Sequence, residues 1–344
     1  MSDPNQEFQT TPLQEFQPPP PPPTPPAEVK PPRPPRMLLV AIVLFVVGLA
    51  LIGAGVAHLI TGGTGGGVSV VLLSICLAAF SFIRLPAITP DAPPPMSLGE
   101  RLAGIFYEPT RVFRNLRSYP RWLVAFLIIA VLYAAYSTAF VQRLTPDRII
   151  GYTTEKVIES PLMPAAGIEQ AKQNAQQEIQ DARMPGKKVM SFLSSMVGVF
   201  FLTAFFAGLY LLGMLAFGGR MNFWQAFAVA LYAALPTTII LKLLSFVLLY
   251  LKSPDDIHPI LNADNLVQDN LGILFTPADH PVLFVVASFI GLTSFYKLWL
   301  TATGLRHGSY RASSGAAWGV ALTLWIIGLV LSIALAAFFP GFLS

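Results

Sequence analysis

The sequence predicts an all-α integral membrane protein with seven transmembrane helices, on three observations. Mean hydropathy is +0.60 and only 12% of the 344 residues are charged, outside the range of a soluble domain of this length. Apolar runs long enough to cross about 30 Å of hydrocarbon recur along the chain. The charges between them alternate, with Lys and Arg collecting in every second loop, while the loop after the third span mixes seven basic with six acidic residues.

The predicted spans are Met37–Ile60, Val68–Ile83, Trp122–Val141, Ser191–Phe217, Phe223–Leu251, Pro281–Thr303 and Trp318–Phe339. Helices are expected because lipid offers no partner to backbone N–H and C=O groups. Transmembrane strands would need short alternating segments, and these runs are continuous. The second run is short, so it is expected to thin the bilayer locally or to use Gly66 and Gly67 as extra length. The fifth contains Pro236, expected to kink a single span.

Basic residues set the orientation. Lys30, Arg33 and Arg36 precede the first span, and the glycine-rich TGGTGGG hairpin (Thr61–Gly67), expected as a tight turn, carries no charge. Arg84, Arg101, Arg111, Arg114, Arg117 and Arg121 follow the second span, and Arg220 lies after the fourth. An acidic loop with Asp255, Asp256, Asp264, Asp269 and Asp279 follows the fifth, and Lys297, Arg306 and Arg311 flank the last turn. This alternation predicts a cytoplasmic N-terminus and a C-terminus outside. The first span reads as an uncleaved signal anchor, since a polar, proline-rich stretch precedes it.

The chain divides into a disordered cytoplasmic tail (1–36), a two-span hairpin (37–84), a cytoplasmic linker (85–121) and a five-span membrane domain (122–344). The tail holds 14 prolines, six of them consecutive (Pro18–Pro23), and is expected to be polyproline-II-like. Its PPRPPR end formally matches the PxxPxR pattern of peptide grooves, but reads better as a stiff spacer with an electrostatic anchor.

In the linker, Ser97 and Glu100 fit a capping box, and Pro109 suits the first turn of a second helix. There Arg111, Arg114 and Arg117 recur every three residues opposite Val112, Phe113 and Leu116. A basic amphipathic helix beside a span is expected at the headgroup level. With Arg121, these arginines are the candidate lipid- or partner-binding residues. The outer loop Gln142–Lys188 carries a thin apolar stripe over Gly167–Ala182, expected as a surface helix resting on the bundle.

No catalytic, cofactor or metal site is expected. The four histidines are scattered, and neither HExxH nor a Cys/His cluster occurs. Cys76 is expected to be buried and inert. The Asn and Asp residues of the acidic loop are expected to form a solvated surface. Within the spans only Lys242 and Lys297 are ionisable, and no span contains Asp or Glu, so neither lysine is expected to have an acidic partner. Both are expected to snorkel, with Lys242 the candidate intramembrane functional residue. Small residues four apart (Ala50 with Ala54, Ala204 with Gly208, Gly328 with Ser332) predict close helix packing, with homo-oligomer formation as the alternative use.

The segment LAGIFYEPTRVFRNL (Leu102–Leu116), the stretch AFGGRMNFWQAFAVALYAALP (Ala216–Pro236) and the basic turn Lys297–Arg311 resemble the Yip domain. This is the five-span module of the Ypt/Rab-interacting membrane proteins, here in its bacterial branch and covering about residues 98–339. The resemblance implies a polytopic membrane protein without catalytic activity. Eukaryotic members are linked to vesicle trafficking and bind small GTPases. This chain lacks their Asp-Leu-Tyr-Gly-Pro motif and adds two spans, so Rab binding is not carried over. Gly218 and Gly219 are expected to make the tight turn and Pro236 the kink.

The expected function is therefore a non-enzymatic scaffold or adaptor of the bacterial cytoplasmic membrane. It would bind a protein partner or organise anionic lipid headgroups at its cytoplasmic face, with no nucleic-acid partner. The alternative is a small transporter or channel around Pro236 and Lys242.

Overall fold

Proline or a capping residue opens most of the helices, and apolar sequence carries the long ones. The computed structural model describes residues 37–60, 62–86, 88, 92–159 and 164–339. The tail predicted for 1–36, with Lys30, Arg33 and Arg36, lies outside them. Among the described residues there are twelve α-helices, and strand pairing is limited to two isolated antiparallel bridges.

Among the described residues, six helices are long and apolar enough to cross a membrane: α1 (Met37–Val56), α2 (Gly63–Ser81), α5 (Leu123–Leu144), α8 (Pro185–Ala216), α9 (Phe223–Leu251) and α12 (Ser314–Phe338). Their outward faces are apolar. Leu39, Val46, Leu202, Phe205, Val330 and Leu335 are all well exposed, as expected where lipid replaces water as the neighbour.

The seam between α1 and α2 corrects the reading of the glycine hairpin. Gly63–Gly67 are the opening turns of α2, and the reversal of the chain precedes them, with His58 and Gly62 at positive φ. A Cβ on Gly67 would sit 2.7 Å from the Gly48 carbonyl oxygen and from Ile52. The missing side chains thus bring two helix backbones together. Using Gly63–Gly67 as helix also lengthens the second span to 19 residues.

The run Pro281–Thr303 is not one helix. It forms α10 (Pro281–Ser288) and α11 (Leu292–Gly308), broken at Phe289–Gly291. A segment from the preceding loop fills the break. Leu271 N donates to Ile290 O at 3.0 Å, and Thr293 N donates to Asp269 Oδ2 at 2.7 Å, which caps α11. Backbone groups freed by the break are bonded by protein, the condition for irregular backbone between apolar segments.

The outer loop is more helical than predicted. α7 (Ala165–Arg183) matches the expected surface helix, while α6 (Pro146–Ile158) was not foreseen and α8 starts six residues earlier than expected. Arg183 holds Asp147 with Nη2–Oδ distances of 2.7 and 2.8 Å, tying α7 to α6.

The connections separate into two ends. At one end, Trp224 Nε1 donates to Ile83 O (3.1 Å), Asn222 Nδ2 donates to Arg84 O (2.8 Å), and the turns at Arg220 and Arg311 pair as an antiparallel bridge. The linker helices α3 (Leu98–Tyr107) and α4 (Pro109–Ser118) sit at this same end. At the other end, Arg148 Nη2 on α6 donates to Ile257 O at 3.2 Å. Gly62 lies against Lys187 and Met190, at the start of α8, also at that end. An aromatic cluster ties the hairpin to the rest at the first end. Trp122 stacks on Trp224 with centroids 5.9 Å apart, and Phe80 of α2 packs on Phe223 at 4.6 Å.

Candidate functional site

The linker builds its site from two short helices. Ser97 caps α3 in the predicted capping box, with Glu100 N donating to Ser97 Oγ (3.3 Å) and Ser97 N donating to Glu100 Oε2 (2.7 Å). Those bonds hold the Glu100 carboxyl below the usual carboxylate range. Pro109 opens α4 as predicted. Asn115, 1% exposed, clamps the incoming chain onto α4. Its Nδ2 donates to Pro94 O (2.9 Å), and its Oδ1 accepts from Met96 N (3.4 Å).

The apolar side of α4 packs on protein, which corrects the expectation that this side anchors the helix at the membrane surface. Val112, Phe113 and Leu116 are at most 1% exposed, inside the main core. The Phe113 ring seats on α11 at Gly304, where a Cβ would come within 2.9 Å of it. Amphipathic periodicity marks a face that must be covered without saying what covers it, and here protein does.

With its apolar side used internally, α4 presents arginines outward. Arg111, Arg114 and Arg117 line one cavity of about 700 Å³, together with Tyr107, Glu108 and Trp299. Arg111 pairs with Glu108 at 3.1 Å, both groups exposed, a contact of small energetic weight. Arg117 lies 5.4 Å over the Tyr310 ring. Its carbonyl accepts from Gln225 Nε2 at 2.6 Å, so the capping residue of α9 also fixes the end of α4. Arg121 is brought elsewhere. It faces a second groove, and its carbonyl accepts from Tyr232 Oη at 3.4 Å. Tyr107 and Trp299 carried no signal in the sequence, because only the packing of α4 on α11 makes them neighbours.

The predicted structural residues behave as follows. Gly218 has φ +75° and ends α8, with Gly219 N donating to Met214 O (2.8 Å) and Gly218 N to Leu215 O (3.0 Å). This is a Schellman-type stop that needs a residue without a Cβ penalty. α9 passes through Pro236 as a single helix.

Lys242 corrects two expectations at once. It neither snorkels nor lacks an acidic partner. Its side chain is 2% exposed, and Nζ donates to Asp264 Oδ1 at 2.8 Å and also to the Asp264 carbonyl oxygen. The ammonium lies 3.9 Å from the Tyr133 ring centroid and 4.7 Å from that of Tyr136, the arrangement of a cation–π contact. Around it, Tyr136 Oη donates to Asn262 O (2.9 Å) and Leu266 N donates to buried Ser245 Oγ (3.1 Å). The stretch Asn262–Leu266 is thus stitched between α5 and α9 above a small core of Tyr136, Phe140, Leu249 and Ile257. The acidic loop keeps Asp255, Asp256, Asp264 and Asp279 exposed, as expected of a solvated surface, but it is also folded as a plug. Asp264 holds Lys242, Asp269 caps α11, and Asn270 Oδ1 accepts from Gly272 N (3.0 Å).

Residues 103–335 match the family model of the Yip1 domain, which is more than half of the chain. No curated protein and no solved structure matches it.

Proposed function

The chain belongs to the Yip1 domain family and is a polytopic integral membrane protein, and from that premise we propose that it is a non-enzymatic scaffold docking an acidic protein segment at its arginine groove. One observation carries this reading. Arg111, Arg114 and Arg117 surround a single cavity with Tyr107 and Trp299, on a helix whose apolar side is already buried. Guanidinium groups beside aromatic rings suit carboxylate-bearing partners, because arginine pairs bidentately with carboxylates and stacks on rings. Residue types of this kind are enriched at interface hot spots.

In this reading α10 and α11 together make one further crossing, for seven in all. The arginine-bearing end faces the cytoplasm, the C-terminus lies outside, and the membrane is the bacterial cytoplasmic membrane. The rule that Lys and Arg stay inside supports this orientation. Arg84, Arg114, Arg220, Arg306 and Arg311 lie at that end, whereas at the other the acidic loop offers Lys252 alone and the loop 142–188 mixes seven basic with six acidic residues. In a Cys76→Ser background, Arg306→Cys should label only after permeabilisation and Asp256→Cys in intact cells. The reverse pattern would invert the topology.

The transport reading built on Pro236 and Lys242 draws less support, since Lys242 is engaged by Asp264 and two tyrosines. The docking reading is tested by a photo-crosslinking residue in place of Thr110, which lines the groove. The expected result is one defined acidic protein adduct, lost on joint Arg111→Glu and Arg114→Glu substitution. Crosslinking to lipid alone, or an adduct that survives charge reversal, would overturn it.

A further inference from the structure

A second groove lies where the α1–α2 hairpin meets α3 and α5. Its volume is about 620 Å³. Three helices each contribute a strip of apolar side chains to its walls: Met37, Val40 and Leu44 on α1, Leu73 and Leu77 on α2, and Trp122 with Phe126 at α5. Spacings of three and four residues keep each strip on one helix face. The α1 strip therefore runs about 10 Å along the helix axis.

The mouth of the groove is charged. Arg101 of α3 lines it and is 3% exposed, yet its Nε and Nη1 have no hydrogen-bond partner among the described residues. Among the described residues, the Tyr232 hydroxyl acts on its charge favourably, and Arg121, of the same sign, opposes it. Burial, with Arg121 adding to it, pushes the Arg101 guanidinium below the usual arginine range. A buried cation without a counter-ion is costly. Two arginines at one end of an apolar slot therefore call for an anion attached to a hydrocarbon tail.

We propose that this groove holds one anionic phospholipid, its phosphate at Arg101 and Arg121 and an acyl chain along Leu44, Leu73, Leu77 and Phe126. Arginine suits the role better than lysine, because its planar fork meets two phosphate oxygens at once and is more weakly hydrated. The hairpin supplies two of the three walls, so the site exists only because α1 and α2 precede the matched region. The proposal does not depend on the protein-docking groove, which uses other arginines.

The test uses the purified full chain in detergent, titrated with phosphatidylglycerol, phosphatidylcholine or glycerol phosphate and read by thermal shift and native mass spectrometry. Phosphatidylglycerol should bind at least ten-fold more tightly than phosphatidylcholine, with no shift from glycerol phosphate. Arg101→Met should abolish that preference while leaving the lipid-free melting temperature unchanged or higher, since an unpaired buried charge has gone. Val40→Trp, at a partly exposed position of the wall, should weaken phosphatidylglycerol binding without touching a charge. Arg306→Gln, a charge removed from the same end outside the groove, should bind as the parent does. Equal binding of the two lipids by the parent would overturn the proposal. So would a preference surviving both Arg101→Met and Val40→Trp, or glycerol phosphate binding as tightly as the lipid.

Discussion

Lys242 and Asp264 form an ion pair at 2.8 Å in which the lysine is 2% exposed and the aspartate 64%. The two ends of the pair therefore differ in what their loss costs. A bared aspartate can hydrate, whereas a bared lysine stays among Tyr133, Tyr136 and the helix interior. Asp264→Ala should destabilise the protein by about 1–3 kcal/mol, the range for leaving a buried polar group short of a partner. Lys242→Met should cost less and leave any membrane activity intact. Thermal unfolding of both variants checks the order, and equal or reversed losses would contradict the plug described above.

The seam of α1 and α2 should resist even one added methyl group. Gly67→Ala places a carbon 2.7 Å from the Gly48 carbonyl and Ile52, and Gly48→Ala one equally close to Val71. Overpacking of this kind costs about 1–3 kcal/mol. Gly65→Ala, which meets nothing within 4 Å, should be neutral or stabilising in the same melting experiment.

Helix α4 separates fold from binding along one short sequence. Phe113→Ala removes a fully buried ring and should cost about 3–5 kcal/mol. Arg111→Gln with Arg114→Gln should change stability by less than about 0.5 kcal/mol and weaken partner docking in a salt-sensitive way. Melting temperature and crosslinking yield, measured on the same preparations, should move independently.

His258 predicts a pH response at the opposite end. Its Nδ1 accepts from Ile260 N and Leu261 N, both at 3.1 Å, and its Nε2 lies 3.1 Å from Tyr152 Oη. Burial chiefly, with Lys156 and Arg148 adding to it, pushes its pKa below the usual 6.5. As pH falls, the unfolded chain takes up the proton first. The contribution of this group is therefore full above pH 6.5 and is lost as pH drops through the lower folded value. Protonation also removes the acceptor for two backbone N–H groups. The hydrogen-exchange protection factors of Ile260 and Leu261, which are corrected for the intrinsic pH dependence of exchange, should fall on acidification, and His258→Gln should flatten the response.

What sequence patterns reveal here is local, and what they hide is long-range. The capping box at Ser97 and Glu100, the proline start of α4 and the glycine stop at Gly218 rest on residues a few positions apart, and all three are found. The break at Phe289–Gly291 was not visible, because the groups that bond its backbone come from Asp269–Leu271, a separate stretch of chain. A hydropathy window sees only an apolar run there. Lys242 reads as isolated for the same reason, since its partner lies 22 residues away. Arg101 looks like one more loop arginine until α1, α2 and α5 close around it.

The join between the hairpin and the rest of the bundle also sets an order of assembly. The bond from Trp224 Nε1 to Ile83 O links residues 141 positions apart, and Ser69 meets Ser194 across 125. Because α1 and α2 precede α8 and α9 by more than a hundred residues, the hairpin is made first, and its glycine seam needs no later residue to close. Two stages follow, insertion and then lateral association. The face that Phe80 turns toward Phe200, Phe223 and Trp224 has no protein partner until those residues follow. The lipid trapped as that gap closes is the first candidate for the molecule beside Arg101.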